Sequence, residues 1–465
     1  MATDIFFTSW VTRGLPKNGP FFVSDATTPT SYTFFTHFLT KPFLINMKHS
    51  FQLRALVVLC VAFFAIQGCK KDKTYELQTL TAGGIDLNGA TGATGVDPKV
   101  AILATFSEPI SASTANSTNI TLVRVYDGGT IATTVSVADN VVTIDPTEDL
   151  GSGTQYELKV SGAVAFADGK SNVTAFSRTF STIGTFAPSG AVAHWNFEGN
   201  AEDQAGSYDA SAVVSVVYGD SRNAAAGKSA TFDGDASIIE IPGGDALMNS
   251  SDFTLSFWVK TNSAGHVDAG GNPAGHFVIG LAAFKGFQFE IPADYSSCKL
   301  AASYDLGGGN TGAEDLWFPG NGLTYANGGW QGWDFCKDLT ASGGVAGLLK
   351  DKWANVVCEY NGSTRQGTMF INGEKMKSFD FDLWPDGDAK RSVSGLKYGG
   401  VEPEVVNKLA FGFIQSRDGQ LWDTEPWGGY DFTTSNHFKG QLDDVRIYHK
   451  ALTADEILLM YNSEK

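Results

Sequence analysis

The stretch Gly440-Gln441-Leu442-Asp443-Asp444-Val445-Arg446-Ile447-Tyr448, followed by His449-Lys450-Ala451-Leu452-Thr453-Ala454-Asp455-Glu456-Ile457, carries the most specific pattern in this chain. Read as a strand, its alternate residues fall on opposite faces. Val445, Ile447 and Asp443 then share one face, and Leu442, Asp444, Arg446 and Tyr448 share the other. A carboxylate in line with a core face must be compensated by hydrogen bonds, a cation or a metal. Thr453 precedes a short predicted helix and Glu456 lies three residues on, the spacing of a capping box.

Upstream, five further segments read as strands of one domain. They are Ala193-His194-Trp195-Asn196-Phe197-Glu198-Gly199, Ala230-Thr231-Phe232-Asp233-Gly234, Phe253-Thr254-Leu255-Ser256-Phe257-Trp258-Val259-Lys260, Lys352-Trp353-Ala354-Asn355-Val356-Val357 and Gly367-Thr368-Met369-Phe370-Ile371-Asn372-Gly373. In this order, and closed by Asp443 to Ile457, they resemble laminin-G-like and pentraxin-like modules. The resemblance covers about 190–463 and implies a concanavalin A-like jelly roll over 190–465. Two regions, 262–335 and 376–436, are longer than a minimal module needs.

Residues 96–184 show short alternating strands: 100–106, 121–125, 141–144, 156–160 and 176–180. Asp127-Gly128-Gly129 and Asp168-Gly169 supply turns. About 90 residues with this spacing read as an immunoglobulin-like sandwich. Phe106-Ser107-Glu108-Pro109-Ile110, Leu150 to Tyr156 and Phe180-Ser181-Thr182 resemble the bacterial Ig-like domains of surface proteins. The expected fold class is therefore all-β, an Ig-like β-sandwich followed by a concanavalin A-like jelly-roll sandwich. Gly184 to Gly190 reads as a hinge between the two.

The N-terminal residues 1–46 lack periodicity and caps and read as an upstream extension. Met47 opens a better start: Lys48, His49 and Arg54 are basic, and Ala55 to Ile66 form an apolar run too short to span a bilayer. The spans expected are a lipoprotein signal peptide over 47–68 and a flexible Gly/Thr-rich tether over 69–95. Ile66-Gln67-Gly68-Cys69 resembles a bacterial lipobox, and Lys70-Lys71-Asp72-Lys73 resembles the start of Bacteroidota surface lipoproteins. The resemblance implies lipidation at Cys69, a location at the outer membrane, and membrane contact through the lipid alone.

A formal charge of −17 offers no basic face to phosphates and argues against a nucleic-acid partner. Aromatics make up 12% of the chain, and its 53 glycines suit loop-rich β structure. Of the three cysteines beyond the leader, Cys358 has the parity of a buried thiol, while Cys298 and Cys336 bracket one loop-rich region and are candidates for a disulfide.

Functional residues are expected in the two long regions. Trp317, Trp330 and Trp333 lie among glycines over 305–335, and Trp422, Trp427 and Tyr430 lie beside acidic residues over 415–436. Exposed aromatic faces offer flat apolar platforms to the C–H face of a sugar ring, and nearby polar groups bond its hydroxyls. The competing expectation is that these rings pack beneath their own loops. Calcium is the candidate cofactor, with Glu198, Asp203 and Asp443 as oxygen ligands, because related jelly rolls often carry such an ion. Asp382 to Asp388 lacks the D-x-D-x-D-G spacing and reads as a polar turn. No catalytic residue is assigned: H-E-x-x-H, G-x-S-x-G, the P-loop and the E-x-D-x-x-E strand of related glycosidases are all missing. The expected function is polysaccharide capture. Adhesion to a matrix or host protein is the first alternative. Glycoside hydrolysis by dispersed carboxylates such as Glu290, Asp315 and Asp334 is the second.

Overall fold

A computed structural model describes residues 73–89 and 92–465. The expected extension, signal peptide and lipidated Cys69 lie outside the described residues. The described chain is all-β, with two sandwiches and a C-terminal helix.

The first sandwich joins two five-stranded sheets. One is built on Leu77–Ala82, Ile102–Phe106 and Val141–Pro146. The other is built on Ala93–Val96, Phe176–Thr182, Gln155–Val160 and Ile120–Arg124. Leu80, Ile102, Phe106, Leu122, Ile144, Leu158 and Phe180 fill the space between them. The tether expected over 69–95 is corrected from Leu77 onward. Leu77–Ala82 pairs with Ile102–Phe106, and Ala93–Val96 pairs in parallel with Phe176–Thr182. Leu80, Ala82, Leu87 and Val96 are buried, so a few well-placed apolar side chains outweigh a Gly/Thr-rich composition.

The second sandwich packs a nine-stranded sheet on a seven-stranded one. Phe253–Thr261 lies between Lys439–Tyr448 and Trp353–Asn361 in the larger sheet. Phe257, Val259, Val356, Leu442, Val445 and Ile447 from that sheet meet Ile239, Phe287, Phe289, Leu300 and Phe411 from the other. Burial of such side chains, at roughly 25 cal/mol per Å² of apolar surface, is the main force holding the layers together. The helix Ala454–Glu464 covers the far side of the larger sheet. Its capping box is formed: Glu456 N donates to Thr453 Oγ1 (3.1 Å) and Thr453 N to Glu456 Oε2 (2.9 Å).

The expected face assignment of the final strand needs correction. Leu442 faces the core with Val445 and Ile447, while Asp443 faces the helix side with Arg446. The cause is a β-bulge: Ser256 pairs with Arg446 but Trp258 pairs with Asp443, and Asp444 adopts φ +46°. One extra residue reverses the parity beyond it.

The bulge feeds a buried ionic network. Arg222 donates to Asp443 Oδ2 (2.5 Å), to Asp444 Oδ2 (2.7 Å) and, through Nε, to the Glu464 carbonyl (2.8 Å). Arg446 Nη2 donates to Asp444 Oδ1 (2.9 Å), and its Nη1 forms an ion pair with Glu464 Oε1 at 2.7 Å. His194 reaches Asp444 from the first strand of the domain at 2.9 Å, and Trp258 Nε1 donates to Glu464 Oε2 at 2.6 Å. Burial opposes ionisation of Asp444, but Arg446, the His194 hydrogen bond and Arg222 hold its carboxyl far below the usual range. Burial and then the adjacent Asp444 push the Asp443 carboxyl above its ordinary range. The network ties first strand, last strand and terminal helix together.

The expected hinge is also pinned. Phe186 is buried with Tyr448, Ile457 and Met460, meets Tyr126 edge-on at 5.2 Å, and donates its N–H to Ser463 Oγ at 2.7 Å.

Candidate functional site: a tryptophan-walled cleft

The outer face of the seven-stranded sheet forms the floor of a cleft of about 830 Å³, within the range of about 300–1,000 Å³ common for ligand sites. Alternation along the strands builds the floor. Phe287, Phe289 and Ile291 turn into the core, leaving Gln288 and Glu290 on the outer face. The next strand adds Lys299 and Ala301, and the edge strand adds Ala313, Asp315 and Trp317. Glu290 lies opposite Lys299, and Asp315 opposite Ala301.

Lys299 organises the polar groups. Its Nζ lies 3.3 Å from Glu290 Oε1 and 3.2 Å from Asp315 Oδ2. Burial opposes the charge, but Glu290 and Asp315 together hold the ammonium above its ordinary range. Gln288 Nε2 donates to Glu290 Oε2 at 2.7 Å. Lys390, on the rim, pairs with Glu314 and lies 5.2 Å from the Trp384 ring centre.

Tryptophans from separate segments make the walls. Trp330 is 70% exposed and Trp427 41%, so both offer ring faces. Trp333 and Trp384, which line the same cleft, are buried. Trp317 meets Trp333 edge-on at 5.6 Å, and Trp422 lies 4.9 Å from Trp427. Glycine allows this packing at one decisive point. Gly332 has φ +86°, and a Cβ there would fall 1.8 Å from the Trp384 indole. Beneath the wall, Lys377 is buried with its Nζ 3.2 Å from the Trp333 ring centre and without a hydrogen-bond partner. Burial pushes this amine down to about 7.

Trp317, Trp330, Trp333, Trp422 and Trp427 therefore converge on one cleft. Tyr430 does not join them. Its hydroxyl donates to the Ala236 carbonyl at 2.7 Å, and its ring packs on Phe413 and His437, as the self-packing alternative expects. Trp384, Phe277 and Phe284 line the cleft without having been expected to. Trp384 sits in the segment read as a polar turn. Its one signal is a tryptophan in an over-long region with no matched strand to hold it.

Glu198, Asp203 and Asp443 are not gathered. Glu198 accepts from Lys228 N (3.1 and 3.2 Å). Asp203 accepts backbone N–H groups of His194, Ala205, Gly206 and Tyr208 at 2.8–3.0 Å. Asp443 is taken by Ser221 and Arg222. Among the described residues no group of three or more His, Cys, Asp or Glu side chains is arranged to hold a metal ion. Cys298, Cys336 and Cys358 are all free and buried, so the Cys298–Cys336 bridge does not form. Of the dispersed carboxylates, Glu290 and Asp315 line the cleft, whereas Asp334 accepts from Ser378 Oγ at 2.9 Å outside it.

Residues 85–182 match the bacterial Ig-like domain family, so the first sandwich is of that class. A search of curated protein sequences finds no match to the chain. Solved structures similar to it include the binding domain of Paraclostridial Mosquitocidal Protein 1, at 16% identity, with 59% of this chain and 52% of that one covered and a TM-score of 0.37. Another is the receptor-binding domain of botulinum neurotoxin type G, at 15% identity, 59% and 51% coverage and a TM-score of 0.34. A third is domain 4 of the extracellular arabinanase AbnA from Geobacillus stearothermophilus, in complex with arabinotriose, at 18% identity, 58% and 98% coverage and a TM-score of 0.32. This chain spans about half the length of the first two. At these scores the likenesses carry no argument.

Proposed function

We propose that this protein captures polysaccharide in the tryptophan-walled cleft of its C-terminal jelly roll. The observation that supports this reading is the convergence of six tryptophans, from four separate stretches of chain, around a floor of paired carboxylates, ammonium and amide. A sugar chain needs this pairing: apolar faces for its ring C–H surfaces, donors and acceptors for its hydroxyls. The adhesin alternative calls for a broad flat aromatic patch, and the rings line a cleft instead. The hydrolase alternative calls for carboxylates facing each other across a cleft. Glu290, Glu314 and Asp315 all come from the same sheet and are each ion-paired to a lysine.

The lipobox-like Ile66 to Cys69 extends the reading to a lipid-anchored protein of the outer membrane, with the Ig-like sandwich as a spacer. Metabolic labelling with a fatty acid tests this part: label is expected on the wild type and lost in Cys69→Ala. The binding test is a glycan array and polysaccharide pull-down with the full chain, with and without calcium, beside Trp330→Ala/Trp427→Ala. Binding that the variant loses is the expected result. Equal binding by both removes the cleft from the account, and calcium dependence returns Asp443 to it.

A further inference from the structure

Every charged side chain in the cleft is already answered by another. Lys299 is held by Glu290 and Asp315, and Lys390 by Glu314. The lining thus carries two ammonium groups against three carboxylates. Among the described lining residues none is an arginine, and neither lysine is left without a carboxylate. A uronate, sulfate or phosphate group entering here would meet no unsatisfied cation. It would lie beside carboxylates in a protein of formal charge −17, and like charges this close repel by several kcal/mol where water is displaced (on the order of 4 kcal/mol at 4 Å and an effective dielectric of 20). Neutral hydroxyls meet the opposite situation. Glu290 and Asp315 offer acceptor lone pairs beyond those used by Lys299 and Gln288, and the Lys299 ammonium and Asn436 amide offer donors. Ala301 and Ala313 keep this floor low between the walls.

Resting on the glycan reading above, we infer that the cleft selects uncharged polysaccharides and rejects anionic ones. The compensated floor is a selectivity device, in which Glu314 and Asp315 neutralise Lys390 and Lys299, so that an acidic sugar meets no net positive charge there. Rejection of the wrong ligand by like charge and unpaired polar groups is the usual physical route to such discrimination.

The test is isothermal titration of the full chain with neutral polysaccharides (a β-glucan, a mannan, an arabinan) and anionic ones (polygalacturonate, alginate, chondroitin sulfate), each at low and high salt. The expected result is binding confined to the neutral set, nearly unchanged by salt because no ion pair to the ligand is made. A Glu314→Gln/Asp315→Asn variant, which leaves Lys390 unpaired and Lys299 with one carboxylate, is expected to gain at least tenfold in affinity for an anionic polysaccharide. Salt should weaken the gained binding. Wild-type binding of anionic glycans that requires Trp330 and Trp427 would overturn this inference while leaving the glycan reading intact. Silence toward every polysaccharide overturns both. A folded double variant that gains nothing contradicts the proposed role of Glu314 and Asp315.

Discussion

The two sides of the C-terminal sandwich use charge in opposite ways. Behind the larger sheet, Arg222, Arg446, Asp443, Asp444 and Glu464 are removed from water and pair with one another, tying three chain segments together. In front of the smaller sheet, Lys299, Glu290 and Asp315 form a similar pairing at the floor of an open cleft, within reach of a ligand. Tryptophan follows the same division. Trp195 is fully buried and Trp258 nearly so, and the Nε1 of each has a hydrogen-bond partner, whereas Trp330 and Trp427 present their faces to solvent. Residue type alone does not separate a structural group from a functional one. What separates them is whether neighbouring chain segments close over it.

The division can be broken most sharply at Arg222. Arg222→Met leaves Asp443 and Asp444 buried without their shared cation, and it should cost about 3–5 kcal/mol in denaturant unfolding. The glycan affinity of the folded fraction should not change. A loss below about 1 kcal/mol would mean that the network is not what fastens the last strand. Gly332→Ala should act on both properties. It places a side chain at φ +86° and against Trp384, with an expected stability loss of about 1–3 kcal/mol and weaker binding as the wall shifts. Unchanged binding would place Trp384 outside the recognition surface.

A third contrast is a pH dependence. Burial pushes His266 down to about 4 and His276 down to about 3, with the other imidazole and Lys439 adding to the effect on His276. Both groups are therefore neutral in the folded state and ordinary in the unfolded one. Their contribution to stability is fully present above the unfolded value of about 6.5 and is lost as pH falls from there toward 4. Because the raised Asp443 carboxyl works in the opposite sense over the same window, the readout is the stability of the wild type minus that of His266→Phe, which should fall from neutral to mildly acidic pH. A difference between the two proteins that stays constant or grows as pH falls contradicts the assignment. The smallest expected effect is at Lys377, whose folded value near 7 lies below its ordinary 10.5. Its contribution is present above 10.5 and declines as pH falls through 7. Lys377→Met should therefore raise neutral-pH stability by about 1 kcal/mol, readable as a shifted denaturant midpoint. Destabilisation would show that the cation over Trp333 contributes more than its burial costs.

Much of the fold was legible because it is written locally. The alternation in Phe253 to Lys260, the Asx- and Gly-rich turns and the Thr453–Glu456 capping box each depend on near neighbours in sequence. The bulge at Asp443–Asp444 was not legible, since one inserted residue shows only when the partner strand is in place. The strands Leu77–Ala82 and Ala93–Val96 were hidden by composition, for three buried residues among glycine and threonine look like linker. At the cleft, tryptophans in glycine-rich loops with no strand to serve were a usable signal. Which of them would meet was not, because Trp317, Trp330 and Trp333, Trp384, and Trp422 and Trp427 lie far apart in sequence. Tyr430 illustrates the cost: it has the same local signal as Trp427, yet its ring is packed beneath the loop on Phe413 and His437.

The most direct measurement is to take Trp330→Ala/Trp427→Ala and determine its polysaccharide affinity and its denaturant midpoint side by side with the wild type. Trp330 is largely exposed and Trp427 is packed on one side by Trp422, so the account predicts a stability loss of about 1–2 kcal/mol, smaller than that of Arg222→Met. It predicts affinity lower by at least tenfold, about 1.4 kcal/mol. Retained affinity, or a loss of stability as large as that of Arg222→Met, would contradict the reading of this cleft as a binding site built from side chains the fold does not need.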